Sequence, residues 1–563
     1  MIPGMAGERL SSSMQADPIE TQKAVCAAIS QLIREGQPEI SQLDALVALE
    51  RQAQPALKLL LTQYVEGDGQ IGSFEWNAWH SALGLCQSLF EVNEYILHHI
   101  RKATDDSWTE HESLLQAQLF HYRKVQFLLR FLRYKKRSSE QWRQLHEMYR
   151  LARERGLLNH PDAISEIDGK RRTIGELEQQ YLQILLLEAM NSGQFSPREA
   201  LWAHRWFALW CRGPGLQLAP IKDTVHVAPK GFVVDLGGSD GLKRTSANES
   251  QLLSGDLLYL DSSPLSVMID RELTSLRNGA TPSHGAMSAV RAGQLALLSK
   301  LAILFAPSPI EIERRAERKP VALAVQAILG FPNIVDELRK NGQKQTEGIS
   351  SVAAPGTENT ASPLGAPRPS PILPGGGSVS PISLSITTPL DALPQIWQVK
   401  DRSDSGCRMR GQIDNLNRVI PGSLIAIRDS ELAPWVVSVV RWFRRLMVDY
   451  VEIGVEYLGR EPRFVKMVTG YDGDLATAEA PNFASKCFAA LYLPPSDEYP
   501  TIPINTVLLP AREFRTDSDV TLLSSNATYR MRLSEPLQQQ FEYVWTSFVV
   551  IDKAGPQLLS NIQ

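Results

Sequence analysis

The sequence has few cysteines, and they are not clustered. Cys26, Cys86, Cys211, Cys407 and Cys487 lie far apart in a chain of 563 residues. No pair has the CxxC spacing of a zinc or redox motif, which argues against a disulfide framework and against a zinc-ribbon site. The odd, dispersed set instead indicates reduced thiols in a cytoplasmic protein.

The chain also lacks a long apolar run. No segment approaches the roughly 20 apolar residues that a transmembrane helix needs, so no membrane span is predicted. The first residues, MIPGMAGERLSSSMQADP, have no apolar stretch of signal-peptide length. We expect residues 1–20 to be polar and disordered.

The sequence also has no excess of positive charge. It lacks the common catalytic motifs as well. The formal net charge is −4, which argues against nucleic acid as the main partner because phosphate-binding domains are usually basic. His98-His99 and His146-Glu147 do not form the HExxH pattern of zinc enzymes, and no Gly-x-Ser-x-Gly elbow occurs. The sequence therefore predicts no enzyme, no metal site and no cofactor.

A helical period dominates residues 21–216. Leu57, Leu60, Leu61 and Tyr64 have the i, i+3, i+4, i+7 spacing of one helix face, and Ser196-Pro197 followed by Glu199 is typical of a helix N-terminus. The pattern predicts an all-α array of helices. The segment WRQLHEMYRLARERG at 142–156 is loosely similar to tetratricopeptide-type adapters, although the regular period of about 34 residues is absent.

The rest of the chain divides into several segments of different composition and pattern. Short strand patterns and helical segments predict an α+β connecting module at 217–310. Residues 339–390 are rich in Pro, Gly and Ser and contain no aromatic residue, which predicts a disordered insertion. A second small β domain is predicted at 467–563.

Three runs in the second half of the chain alternate apolar and polar residues. They are Leu424–Ile427, Trp435–Trp442 and Val448–Tyr457, and their period of two predicts half-buried strands of a small antiparallel barrel or sandwich. Before them, DRSDSG at 401–406 has the short polar side chains and final glycine of a tight turn. The fold class is therefore multidomain α+β, with an N-terminal helical array, an antiparallel β-barrel or sandwich and a second small β-barrel-like domain.

The stretch that contains this turn and these strands resembles a PilZ domain. The turn has the form D/N-x-S-x-x-G, and the strands read GSLIAI, VVRW and IGVEY. The R-x-x-x-R motif of the family is matched farther upstream by Arg314 and Arg318, directly before the strand-like run 321–325. We therefore predict one split PilZ-like barrel formed by residues 311–332 and 391–466. A long insertion costs little because closure entropy grows only logarithmically with loop length.

The resemblance implies a bacterial cytoplasmic receptor for cyclic di-GMP that signals to a protein partner through its helical region. Arg314 and Arg318, helped by Arg315, would hold phosphate and guanine, because guanidinium pairs bidentately with both. Asp401 would accept hydrogen bonds from a guanine edge, and Ser403 would bind phosphate or base. Gly406 would allow a positive φ and a close backbone approach.

Two other functions remain open. The barrel could have lost nucleotide binding and act as a PilZ-like adapter for protein partners. A nucleic-acid binder would use the arginines of the barrel strands, although the acidic net charge argues against it. Those arginines are Arg408, Arg410, Arg441, Arg444 and Arg445.

Overall fold

The computed structural model describes the chain in separate ranges. They are residues 17–34, 40–66, 72–102, 109–135, 138–159, 164–167, 170–173, 176–213, 215–220, 231–245, 256–279, 285–308, 310, 317–350, 394–413, 419–447, 450–469, 487–495, 504–523, 528–540 and 542–554. Arg314, Arg315 and most of the predicted insertion lie outside these ranges. The fold class predicted from the sequence is confirmed: a helical region is followed by two closed, six-stranded antiparallel barrels.

Seven helices and one hairpin form the N-terminal helical region of the described chain. The helices are α1 (Pro18–Arg34), α2 (Ile40–Glu66), α3 (Gly72–Lys102), α4 (Thr109–Leu132), α5 (Ser139–Glu154), α6 (Leu177–Ala189) and α7 (Pro197–Trp210); the hairpin is β1 (Ile164–Ile167) and β2 (Lys170–Thr173). The predicted start of α7 is confirmed, because Ser196 and Glu199 form a reciprocal capping box and Pro197 occupies the first turn.

Helix α4 lies at the centre of this region and ends beside the first barrel. It packs against α3, α6 and α7, and it buries residues on all sides. Its last turn closes with a hydrogen bond from the Lys135 N–H to the Arg130 carbonyl (3.0 Å) and another from the Tyr134 N–H to the Phe131 carbonyl (2.8 Å). This is a Schellman ending, and Tyr134 takes the left-handed position with φ 53°. The ending fixes where the side chains of Tyr134 and Lys135 point.

The predicted connecting segment shares one hydrophobic core with the helices. It contains β3 (Leu218–Pro220), β4 (Gly231–Asp235), β5 (Lys243–Arg244), β6 (Leu257–Asp261), α8 (Ser263–Asn278) and α9 (Gly285–Leu304). The four strands form an antiparallel sheet in the order β3-β6-β4-β5. Phe232, Leu260 and Phe305 belong to the same buried cluster as Phe207 of α7. The two segments therefore bury their apolar surface together.

The first barrel closes through a strand that comes from far upstream. Its strands are β7 (Lys319–Leu329), β8 (Gln395–Ser403), β9 (Gly406–Gln412), β10 (Leu424–Arg428), β11 (Val436–Arg445) and β12 (Tyr450–Arg460), in the order β10-β11-β12-β9-β8-β7. The three period-two runs are thus confirmed as strands. Val325 of β7 pairs with Trp397 of β8, and Gln326 pairs with Arg428 of β10. One sheet therefore joins residues on either side of the predicted insertion.

A helix follows β7 and packs where the two barrels meet. Helix α10 (Phe331–Ser350) starts directly after Gly330, whose φ is +84°, and it extends into the segment predicted as insertion. Ile334 is fully buried in a core that contains Trp435 of the first barrel and Tyr543 of the second. The N-terminal part of α10 is therefore packed into the interface that the two barrels share.

The second barrel begins at β13. Its strands are β13 (Arg463–Thr469), β14 (Cys487–Leu493), β15 (Thr506–Pro510), β16 (Asp519–Leu523), β17 (Thr528–Gln539) and β18 (Tyr543–Ala554), in the closed order β13-β14-β15-β18-β17-β16. Its separate core includes Met467, Leu509 and Leu533. Over the described ranges, none of the helices combines the length and apolarity needed to cross a membrane.

Candidate functional site

Asp401 holds two arginines that come from different parts of the first barrel. Its Oδ1 lies 3.2 Å from Nη1 of Arg318, which precedes β7, and its Oδ2 lies 2.6 Å from Nε of Arg408 on β9. A shift in strand register lies between Val399 and Asp401. The Asp401 side chain is 12% exposed, whereas that of Arg318 is 41% exposed. The structure therefore places Arg318 and Asp401 together, with the Arg318 side chain accessible from solvent.

The DRSDSG turn is a tight hairpin between β8 and β9. Ser403 ends β8 and pairs with Gly406, which begins β9; the Ser403 hydroxyl donates to the Gly406 carbonyl at 3.2 Å. Gly406 does not adopt the positive φ that glycine would allow. Glycine is needed there for a different reason, since a Cβ would lie 2.1 Å from the carbonyl oxygen of Val455 on β12. The close backbone approach is thus to a neighbouring strand.

A second cluster of charges lies beside Asp401 on the same barrel face. The Glu452 side chain is only 3% exposed, and its Oε1 lies 2.7 Å from Nε of Arg410. Arg408 and Arg444 each bring an Nη1 to 3.9 Å from this carboxylate. Arg441 pairs with Glu456 and also donates to Gln538 of the second barrel at 3.2 Å. The arginines that a nucleic-acid binder would use are therefore largely engaged with the barrel's own carboxylates.

Asp401, Arg408 and Glu452 line a cleft of about 1530 Å³ between the first barrel and the helical region. The helical wall consists of Arg130, Tyr134, Lys135 and the loop 191–194. Seven cationic side chains of the described chain line the cleft, against three carboxylates. The cations are Arg130, Lys135, Arg318, Arg408, Arg441, Arg444 and Arg445, and the carboxylates are Asp401, Glu452 and Glu456. The cleft is therefore suited to an anionic ligand.

The two walls of the cleft are in direct contact. The N–H of Phe443 donates to the carbonyl of Gly193 at 2.9 Å. The ring of Tyr134 lies 4.6 Å from that of Phe443, and its hydroxyl donates to the carbonyl of Phe195 at 3.0 Å. Gly193 has φ +80°, and a Cβ at this position would lie 2.2 Å from the Phe443 oxygen. The helical loop can approach β11 this closely only because residue 193 is glycine.

Burial lowers the pKa of both cations on the helical wall. For Arg130, burial is the cause. For Lys135, burial lowers the pKa first, and the charges of Arg133, Arg130 and Arg445 lower it further. Arg445 belongs to the barrel, so positive charge from both walls converges on Lys135. No carboxylate in the described ranges raises either pKa in return.

The opposite side of the turn has a different environment. Arg402 forms a two-pronged pair with Asp429, with donor–acceptor distances of 2.7 and 2.9 Å. This hydrogen bonding raises the pKa of Arg402 and lowers the pKa of Asp429. A second cavity of about 890 Å³ lies here, lined by both residues and by Ser403. Because Arg402 is already paired, its role is to hold β8 against the loop that follows β10.

The structure locates the predicted site residues only in part. Arg318, Asp401, Ser403 and Gly406 all line the large cleft, while Arg314 and Arg315 lie outside the described residues. Sequence reasoning missed Arg408 as a partner of Asp401, although its position two residues after Gly406 on a strand was a usable signal. It also missed Arg130 and Lys135, for which no local signal exists. No group of three His, Cys, Asp or Glu residues that could hold a metal occurs in the described ranges.

The comparison with known families concerns the other wall of the cleft. Residues 6–220 match the family described as "Cyclic-di-GMP receptor FimW, N-terminal domain". No curated protein matches the chain. The match spans the helical region, including Arg130, Lys135 and the loop 191–194, and covers less than half of the chain. Over these residues the chain is thus similar to the N-terminal domain of FimW, which supports a relation to a family of cyclic di-GMP receptors.

Proposed function

We propose that this chain is a bacterial cytoplasmic receptor for cyclic di-GMP, and that the first barrel is a split PilZ-type domain. The observation that carries the proposal is the Arg318–Asp401–Arg408 cluster beside the Ser403–Gly406 turn, at the wall of a strongly cationic cleft. The similarity of residues 6–220 to a receptor's N-terminal domain is independent of this cluster, because it concerns a different part of the chain.

The chemistry of the cleft fits a doubly anionic guanine dinucleotide. Guanidinium groups bind phosphate and the O6/N7 edge of guanine bidentately, and carboxylates accept hydrogen bonds from amino and imino groups. The volume of about 1530 Å³ exceeds that of pockets for drug-sized ligands, which is about 300–1,000 Å³. A dinucleotide therefore has room in the cleft.

Asp401 would exchange partners when the ligand binds. In the structure its two oxygens hold Arg318 and Arg408. A phosphate arriving at Arg318 would release one carboxylate oxygen, which could then accept from the guanine N1–H and N2–H edge. Arg314 and Arg315 closely precede Arg318 in sequence and would join it from the same arm. Binding would thus replace an internal ion pair by contacts with the ligand.

The signal would pass to a protein partner through the helical region. The helical region forms one wall of the cleft, so a ligand there would change the contact between helices and barrel. Such a change is a population shift driven by a difference in affinity. In the alternative, a PilZ-like adapter that has lost nucleotide binding, the barrel face would serve a protein partner directly.

Isothermal titration calorimetry of the full chain with cyclic di-GMP tests the proposal. We expect micromolar or tighter binding, and Arg318→Ala should weaken it by about tenfold or more, since a charge-assisted hydrogen bond contributes about 1.5–3 kcal/mol. Arg339→Ala is a matched control: Arg339 is half-exposed and pairs with Asp336 at 3.0 Å, but it lies outside the cleft.

Three results would contradict the proposal. The first is the absence of binding heat in the wild-type chain at high micromolar ligand, as the adapter alternative predicts. The second is unchanged affinity after Arg318→Ala. Equal losses in Arg318→Ala and Arg339→Ala would indicate a general charge effect and would also count against a site at Asp401.

A further inference from the structure

The cleft contains a cationic wall that the barrel motifs do not explain. Arg130 and Lys135 line it from the end of α4, and Arg318 and Asp401 line the same cleft from the barrel. Lys135 has its position because the Schellman ending places it one residue beyond the left-handed Tyr134. Both cations belong to the helical region, so their place in the cleft depends on how that region docks onto the barrel.

The charge of this wall is not balanced by the protein within the described ranges. All three carboxylates of the cleft are on the barrel and pair with barrel arginines or with Arg318. The Nε of Arg130 is buried without a hydrogen-bond partner. The ammonium group of Lys135 lies 4.8 Å from the centre of the Trp79 ring. A cation–π contact of this kind provides only part of the stabilisation that an anion would give.

Cations near a helix C-terminus also interact favourably with the helix dipole, which would be the simplest role for this pair. Interaction with the helix dipole requires neither burial of the two cations nor a neighbouring barrel. Here the burial lowers the pKa of both groups, and Arg445 of the barrel repels Lys135 across the cleft. Docking the two walls therefore brings like charges together, an arrangement that is unfavourable until an anion enters.

We infer that Arg130 and Lys135 form a second anion subsite, so that one cyclic di-GMP molecule is held between the helical region and the barrel. This inference rests on the proposed function. The barrel arginines bind one anionic edge of the ligand, and Arg130 and Lys135 bind the phosphate that faces the helices. The bound ligand neutralises the repulsion between the walls and tightens the Gly193–Phe443 contact. Ligand binding and domain docking are therefore thermodynamically linked.

Calorimetry with the full chain separates this inference from the proposed function. We expect Arg130→Gln/Lys135→Gln to weaken cyclic di-GMP binding by about tenfold or more, comparable to Arg318→Ala. The matched control is Arg143→Gln/Lys23→Gln, which removes the same charge from exposed positions of the helical region outside the cleft. Circular dichroism verifies that each variant is folded.

The outcomes are distinguishable. Loss of binding in Arg318→Ala with unchanged binding in Arg130→Gln/Lys135→Gln would overturn the second subsite and leave the proposed function intact. No binding by the wild-type chain would overturn both. Losses that are equal in the double variant and its control would overturn the subsite, because only the net charge would then matter.

Hydrogen exchange on the wild-type chain tests the same inference without any substitution. Saturating cyclic di-GMP should slow the exchange of amides at 133–135 and 191–194, because these segments form the helical wall. The amides of α1 should be unaffected, because that helix does not line the cleft. Binding that protects the barrel turn but leaves both helical segments unchanged would overturn the inference.

Discussion

At the residue scale, Glu50 shows how burial sets a pH dependence. Its carboxyl group lies in the helical core, where Oε1 accepts from the Asn93 amide at 3.1 Å and Oε2 accepts from the Gln118 amide. Burial is the main cause that raises its pKa to about 8, and the hydrogen bond from Asn93 opposes this increase. The folded chain therefore binds a proton here that the unfolded chain releases at lower pH.

We predict that stability falls as pH rises from about 5 to about 8 because of this one group, and that Glu50→Gln removes the effect. The folded pKa is raised, so the contribution is complete below the unfolded pKa and is lost as pH rises through about 8. Between pH 6 and pH 8 the loss is about 2 kcal/mol. The urea midpoint followed by circular dichroism measures it.

The control for this residue is Glu140→Gln, since Glu140 is a 59% exposed helical glutamate. This variant should keep the wild-type pH dependence. A Glu50→Gln chain whose midpoint still falls with pH as steeply as the wild type would show that Glu50 is not the titrating group.

At the scale of elements, the loop 191–194 joins the helical region to β11 through one glycine. Gly193→Ala would combine an unfavourable φ of +80° with a Cβ 2.2 Å from the Phe443 oxygen. Gly156 is a matched control, because its φ is +69° and a Cβ added there would have no neighbour within 4 Å. Gly156→Ala should cost about 1–2 kcal/mol for the left-handed backbone alone.

We therefore predict that Gly193→Ala lowers the thermal midpoint clearly more than Gly156→Ala, and that only Gly193→Ala weakens cyclic di-GMP binding. The reason is that Gly193 and Phe443 both line the cleft and their contact joins its two walls. Differential scanning calorimetry and ligand titration measure the two effects. Equal midpoints for the two variants would mean that the loop does not hold the walls together.

Elements with a local signal were predictable, and contacts between distant elements were not. The strands at 424–427 and 435–442 were readable because alternation of side chains is a property of the strand itself. No local sequence pattern indicates that Val325 pairs with Trp397. The resemblance of two motifs to those of PilZ domains was therefore needed to place Arg318 near Asp401. Arg130 was missed for a physical reason: a cation at a helix end acquires its neighbours only when two domains dock.

At the scale of the whole molecule, α10 packs against both barrels and links the stability of one to that of the other. Ile334 is fully buried in a cluster that includes Trp435 from the first barrel and Tyr543 from the second. The same helix immediately follows β7, the strand that Arg318 precedes. The site and the interface between the barrels are therefore tied to one continuous segment, β7–α10.

We predict that Ile334→Ala destabilises both barrels by about 2–5 kcal/mol, because truncating a fully buried side chain leaves a cavity where three elements meet. The matched control is Ile303→Ala on α9, where the side chain is 43% exposed and a smaller loss is expected. Calorimetric unfolding of the full chain measures both variants. If α10 couples the two barrels, their shared unfolding transition should broaden or split in Ile334→Ala. It should remain single in Ile303→Ala. An equal, simple shift in both variants would mean that the Ile334 side chain does not couple the two barrels.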